Sequence, residues 1–429
     1  MTRLRLRTKA TFRSLHVRNF RLFFAGQLVS QIGNWLTLVA QALLVLKLTD
    51  DGVALGALAA AQFGPVLIIG PWAGLIADRS DKRKLLLVVQ AIAMAQSFVL
   101  SALAFSGDPP VLAIYAVALL GGVTVAFDNP ARRAFVVELV AEEDTPNAVS
   151  LNSALMTGSR VIGPAIAGLL ISTVGFGWCF LVDGVSYLFV IEGLRRMRTA
   201  ELRPSPVAVR ARGQVRAGLR YARSVPELWV PLMMMSVIGT LAYNFQTVFP
   251  LFVTRDLDGG PSTFTLLFSV VSVGALAGAL FSAGRKRIST RTVSFSALAF
   301  GVSMAAMALV PNQPLAFLVG IALGVSSISF LTSSTAIVQV RAAPEMRGRV
   351  LALQAMLFLG STPIGGPIVG FVAEHFGARY AIALGALAAT GAGLWGLGTV
   401  RRAARRLTEA EAERAVSMVE ADLGAAPAA

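Results

Sequence analysis

Asp78 and Arg79, followed by Lys82, Arg83 and Lys84, are the densest charge in the first half of the sequence, and they separate two long apolar runs. A carboxylate and a guanidinium at the end of an apolar helix can hold a neighbouring element by charge, and the small Gly74 lets helices approach there. Asp128 closes the fourth apolar run at the same expected level. A cluster of Asp78, Arg79, Arg83 and Asp128 would therefore act as a latch, biasing one of two conformations and making or breaking no covalent bond.

A second set lies deeper. Counting about 1.5 Å per residue from Asn147 puts Arg160 roughly 20 Å into its run, where an unpaired cation in hydrocarbon is costly. It is expected to face the interior with a partner. Asp183 is the nearest acidic residue by depth and a candidate proton-linked carboxylate; neighbouring carbonyls for Arg160 and outside water for Asp183 are the alternatives. Gln27, Gln31 and Asn34 share one face of the first run by their spacing. With Trp35, Asn152 and Asn244 they are candidates for a central cavity, or for bridges between packed helices.

The sequence excludes much other chemistry. One cysteine, Cys179, permits neither an intramolecular disulfide nor a cysteine metal cluster, and His16 and His375 are the only histidines. There is no Gly-x-x-x-x-Gly-Lys-Ser/Thr loop to cradle ATP. No catalytic set, metal or cofactor is expected, and the energy source is expected to be an ion gradient, protons first.

The elements that must position these residues are helices in lipid. With 55% hydrophobic and 14% charged residues, and a mean hydropathy of +0.69, there is too little polar surface to cover a soluble core. Runs long enough to cross about 30 Å of hydrocarbon recur twelve times, near 20–47, 53–77, 84–106, 110–128, 147–174, 177–196, 228–254, 262–284, 290–310, 314–339, 349–374 and 378–400. The net charge of +15 falls in alternate loops, which marks topology and not nucleic-acid binding. Both termini are expected on the cytoplasmic side of an inner membrane. Arg255 and Arg379 are the exceptions to the charge pattern.

A polar stretch at 197–227, with Pro204 and Pro206, divides bundles at 20–196 and 228–401; residues 1–19 and 402–429 are the cytoplasmic ends. Gly163-Pro164 and Gly168 recur as Gly366-Pro367 and Gly370, and Gly74 with its basic loop recurs as Gly278 before Gly284-Arg285-Lys286-Arg287. The separations of about 203 to 204 positions indicate duplication. The expected fold is all-α: twelve transmembrane helices in two pseudo-symmetric six-helix bundles, with the Gly-Pro segments as packing sites. Thr408 to Leu423 reads as a separate capped surface helix.

Residues 74–83 resemble the loop signature of the major facilitator superfamily, with Gly74, Ala77, Asp78, Arg79 and Arg83 matching and Asp81 where that signature has Gly. Asn19-Phe20-Arg21-Leu22-Phe23, Phe127-Asp128-Asn129-Pro130-Ala131-Arg132-Arg133 and Arg160-Val161-Ile162-Gly163-Pro164 resemble the drug-efflux and enterobactin-exporter-like branch. The Arg that many drug antiporters carry early in the fourth helix is missing. The resemblance implies a major facilitator fold, substrate binding between the halves, and Asp78 facing the start of the eleventh helix near Arg349 to Leu351. It further implies a monomeric, proton-coupled exporter of drug-like, siderophore-like or macrolide-like molecules. Uptake symport, a membrane sensor and a lipid-modifying enzyme are the alternatives.

Overall fold

The computed structural model describes residues 12–203, 214–283 and 288–424, and every regular element among them is helical. The first half comprises α1 (Arg18–Thr49), α2 (Gly52–Arg79), α3 (Lys82–Phe105), α4 (Val111–Glu138), α5 (Thr145–Thr173) and α6 (Phe176–Arg195). A short polar helix, α7 (Gln214–Ser224), leads to the second half: α8 (Pro226–Leu241), α9 (Phe245–Leu251), α10 (Pro261–Ala283), α11 (Thr290–Leu309), α12 (Gln313–Arg341), α13 (Pro344–Leu359), α14 (Thr362–His375) and α15 (Ala378–Gly424). These supply twelve spans long and apolar enough to cross a membrane, with α8–α9 and α13–α14 each forming one. Helices are the required solution because lipid offers the backbone no hydrogen-bond partners.

Local sequence sets the ends. Asp51 accepts from the amide of Val53 at the start of α2, and Asp81 from that of Lys84 at the start of α3. Gly175 and Gly377 take φ of 95° and 105° at the equivalent turns α5–α6 and α14–α15, where a side chain would be strained.

Four boundaries differ from the sequence reading. α4 runs on to Glu138 through Pro130, so Asp128 lies inside a helix and Arg132 is a buried helical residue. The seventh and eleventh spans are broken at residues 242–244 and 360–361. The eleventh starts at Pro344, so its dipole's positive end lies before Arg349. α15 continues to Gly424, with no separate helix capped at Thr408. Pro204, Pro206 and the Gly284–Arg287 loop lie outside the described residues.

The halves repeat one packing scheme. α2 packs on α4 as α10 does on α12, and α3 packs on α4 and α6 as α11 does on α12 and α15. Between halves, α2 crosses α14 and α5 crosses α10, again a matched pair. The α1–α2 and α14–α15 turns define one face; the other, where α1 begins and α2 ends, carries Arg79 and Lys82 to Lys84 and is called the basic face.

The halves touch near the face opposite the basic one. A Cβ on Gly52 would sit 2.8 Å from the carbonyl oxygen of Gly370, and one on Gly56 would sit 2.7 Å from that of Gly366. Gly168 meets the side chain of Thr265 across α5 and α10. Farther toward the basic face, Gly64 and Gly70 of α2, Gly158 of α5 and Gly348 of α13 have open space where a Cβ would be. The molecule is thus closed at one face and parted toward the other.

Candidate transport site

Arg160 of α5 lies with its guanidinium 5.6 Å from the ring centre of Trp35 on α1. That ring is 5.7 Å from Phe268 of α10, so Trp35 joins the two halves. Gly163, one turn along α5, packs under the Trp35 side chain. From the second half, Tyr243 lies in the field of Arg160 and donates to the carbonyl of Ser327 at 2.6 Å. A cation over an indole is worth about 0.5 to 2 kcal/mol, less than a buried ion pair would supply. Among the described residues, no carboxylate pairs with Arg160. Arg160 is thus a cation beside aromatic surface, where the halves meet.

The expected pairing of Arg160 with Asp183 is not formed. Gly33 of α1 backs onto Asp183 and Ser186 of α6, whereas Trp35, two residues on and about 200° around the helix, faces Arg160. α1 therefore stands between the two charges. Depth was readable from sequence, but rotation about the helix axis was not.

Asp183 is fully buried and not exposed to outside water. Its Oδ2 accepts from Thr37 at 2.6 Å and from Ser97 at 2.7 Å. It lines a cavity of about 100 Å³ inside the first half, which Gln31, Asn34, Gln90 and Asp128 also line. The amide stripe of α1 thus faces the interior of its own bundle and not the gap between halves. Gln27 sits at its end, accepting from Gln31 at 3.2 Å and from Arg132 at 3.3 Å.

The proposed charge cluster is divided. Arg83 donates to the carbonyls of Leu194 and Arg195 at the end of α6, at 2.6 and 3.3 Å, where the helix dipole favours a cation. Asp128 is held by Arg132 at 3.1 Å and by the amide of Gln90 at 2.8 Å. Asp78 is half-buried and Arg79 exposed at the end of α2. Asn152 is half-buried on α5. Asn244, in the break between α8 and α9, is 4% exposed and lines a smaller cavity between the halves with Gln62 and Leu38. The six packing residues lie at or beside helix crossings: Gly163 and Pro164 within the first half, and Gly168, Gly366, Pro367 and Gly370 between halves.

Sequence reasoning passed over the ion network at the closed face. Arg255 reaches Glu374 at 2.9 Å and Asp50 at 3.5 Å, and Glu374 also accepts from the amide of Gly52 at 2.7 Å, so the start of α2, the helical segment Phe252–Asp256 that follows α9, and α14 are tied together. Arg379 binds Asp256 at 3.1 Å and the carbonyls of Ala308 and Val310. The signal was present: these are the two arginines on the wrong side of the charge pattern, each neutralised by a partner. The buried pair of Lys82 and Glu138, at 2.7 Å, carried no such signal.

Solved structures with this architecture include a bacterial homologue of the human lysosomal transporter Spinster, inward-facing and unoccupied, with a TM-score of 0.68 at 13% identity over 88% of this chain and 94% of that one. A peptide-bound POT family transporter gives a TM-score of 0.72 at 10% identity over 90% and 96%. Two matched six-span bundles, closed at one face, are the major facilitator fold. The chain belongs to the transmembrane secretion effector family of that superfamily, whose profile matches residues 9–423. It is 25% identical to macrolide efflux protein A of Streptococcus pyogenes, over 84% of this chain and 91% of that protein. It is 24% identical to the staphyloferrin A transporter of Staphylococcus aureus, over 83% and 90%. With the multidrug efflux pump Tap of Mycolicibacterium fortuitum it shares 26%, over 83% and 89%.

Proposed function

We propose that the protein is a proton-driven exporter of amphipathic small molecules, macrolide-like or siderophore-like, that alternates between states open to either side. The observation that carries this reading is Arg160 on the face of Trp35, without a carboxylate partner among the described residues, at the meeting of the two halves. A polar or anionic group of a substrate satisfies the guanidinium, while Trp35, Phe268 and Tyr243 take its apolar body. The relatives' names, for macrolide efflux, a siderophore and multidrug efflux, support that chemical range.

The basic face is read as cytoplasmic, in an inner membrane with both termini inside, because lysine and arginine concentrate in cytoplasmic loops. On that reading the closed face is the outer one, the parted side faces the cytoplasm, and the working unit is a monomer. Protons taken up by Asp183 supply the energy, and the Asp78–Arg79 end of α2 latches the inner side when it closes.

The test is efflux of ethidium, erythromycin and a carboxylate siderophore from energised and uncoupled cells, with wild type compared at matched expression against Arg160→Ala and Asp78→Asn. Uncoupler-sensitive efflux, reduced about ten-fold or more in both variants, is the expected result. Wild-type protein that accumulates any of these compounds inward under the same gradient overturns export.

A further inference from the structure

We propose that the cavity inside the first half is the proton path: a short file of water that links Asp183 to Asp128 and is walled off from the substrate path between the halves. The inference rests on the proton-driven reading above and adds the route.

One cavity touches both carboxylates. Asp183 lies seven residues into α6 from the closed face and Asp128 seventeen into α4, so at about 1.5 Å per residue they differ by roughly 15 Å in depth. The cavity therefore carries a polar connection toward the basic face. Its volume of about 100 Å³ is room for several waters.

The walls ask for those waters. Two buried acceptors, the amide oxygens of Gln90 and Gln96, have no hydrogen-bond partner, and both residues line this cavity. Leaving such groups unpaired costs about 1 to 3 kcal/mol each, so proton donors belong beside them. Gln90 cannot turn its amide to avoid this, because its nitrogen is committed to Asp128 at 2.8 Å. Asp183 Oδ2 accepts from Thr37 and Ser97, both of which line the cavity, whereas Oδ1 lies against Gly33 and beside Ser186. Tyr187, one turn along α6, is the titratable group that feels Asp183, and Asp128 and Arg132 of α4 act on the same Tyr187. α1 and α3 present amides and hydroxyls along the cavity.

The separation from the substrate path is built in. Leu38 and Gln62 line both this cavity and the smaller one between the halves. Gln62 donates to Gln41 at 2.8 Å, closing the partition with a side-chain bond.

The proton balance is simple. A hydronium gives its proton to the Asp183 carboxylate on the cavity side, leaving water and a neutral acid whose O–H donates into the cavity. On release that O–H bond breaks toward a cavity water, the excess proton passes along the file to the Asp128 carboxylate, and Asp128 returns it to water at the basic face. Arg132 lies 3.1 Å from the Asp128 carboxylate at this end of the cavity.

The experiment uses the full chain in proteoliposomes with ethidium as probe, following efflux driven by an imposed pH gradient and ethidium exchange without one. Ala118→Leu on α4 and Ala93→Leu on α3 fill the cavity from separate walls. The expected result is gradient-driven efflux slowed by about ten-fold or more in each, with exchange within about two-fold of wild type. Infrared difference spectra after a pH step should show a protonated-carboxyl band that Asp183→Asn removes and that both cavity-filled variants delay. Gradient-driven efflux at the wild-type rate in both filled variants overturns the route but leaves proton drive standing. Loss of exchange along with efflux also overturns it, since the cavity then serves the substrate. Wild-type efflux indifferent to the gradient fails the proton-driven reading itself.

Discussion

At the scale of single residues, environment decides what a charge is worth. Lys82 and Glu138 form a pair whose side chains are 8% and 7% exposed, whereas Lys84 and Asp81 are 3.9 Å apart with side chains 77% and 50% exposed. Removing a cation from a buried pair costs about 3 to 5 kcal/mol, but an exposed pair contributes about 0 to 1. Lys82→Met should accordingly lower the melting temperature of the detergent-solubilised protein by many degrees, while Lys84→Met barely moves it. Equal shifts in the two variants would show that the buried pair is not a structural tie. Arg132 belongs to the same class, since it is 6% exposed and holds Asp128, Asn129 and Gln27 together. Within the segment Phe127 to Arg133, Arg132 is a buried member of this network and no loop marker.

At the scale of elements, the closed face depends on how near two helix backbones can come. α2 and α14 cross at Gly52, Gly56, Gly366 and Gly370, where any Cβ would overlap a backbone atom of the other helix or the Ala59 side chain. Gly370→Val should wedge this crossing and favour the state open at that face. The measurement is electron-spin distance between labels at Leu112 and Tyr380, exposed positions of α4 and α15 in opposite halves, in a background where the single cysteine Cys179 is replaced. A longer distance in the variant is expected; an unchanged distribution would mean that the crossing does not hold the closed state. The matched crossing of α5 and α10 at Gly168 predicts the same response to Gly168→Val.

At the scale of the whole molecule, the two states differ by which face the halves close. Arg255, Glu374 and Asp50 add a charge latch to the glycine contacts, at side-chain exposures of 30%, 29% and 85%. Screening at such exposure limits the latch to about 1 kcal/mol, which corresponds to about a five-fold change in the ratio of two states. Arg255→Gln should therefore shift the same spin-label distribution partly and in the same direction as Gly370→Val, and high salt should mimic it in wild type. A complete switch would show that packing contributes less than the glycine contacts imply. The latch is thus a bias on an equilibrium that packing dominates.

The sequence by itself determined the twelve spans, the duplicated halves, the charge asymmetry of the loops and the packing role of the Gly-Pro segments. Those properties are written along one dimension: apolar run length, repeat distance and the sign of each loop. It also ranked Arg160 and Asp183 by depth. Only the tertiary structure decided which way around α1 each of them lies, and so parted a cation at the meeting of the halves from a carboxylate buried within the first bundle. It likewise turned Gln31 and Asn34 inward, sent Arg83 to the end of α6 and joined Arg255 to Glu374. Each of these depends on the rotation of one helix against another, which side-chain packing fixes between segments far apart in the chain, and no local pattern records it.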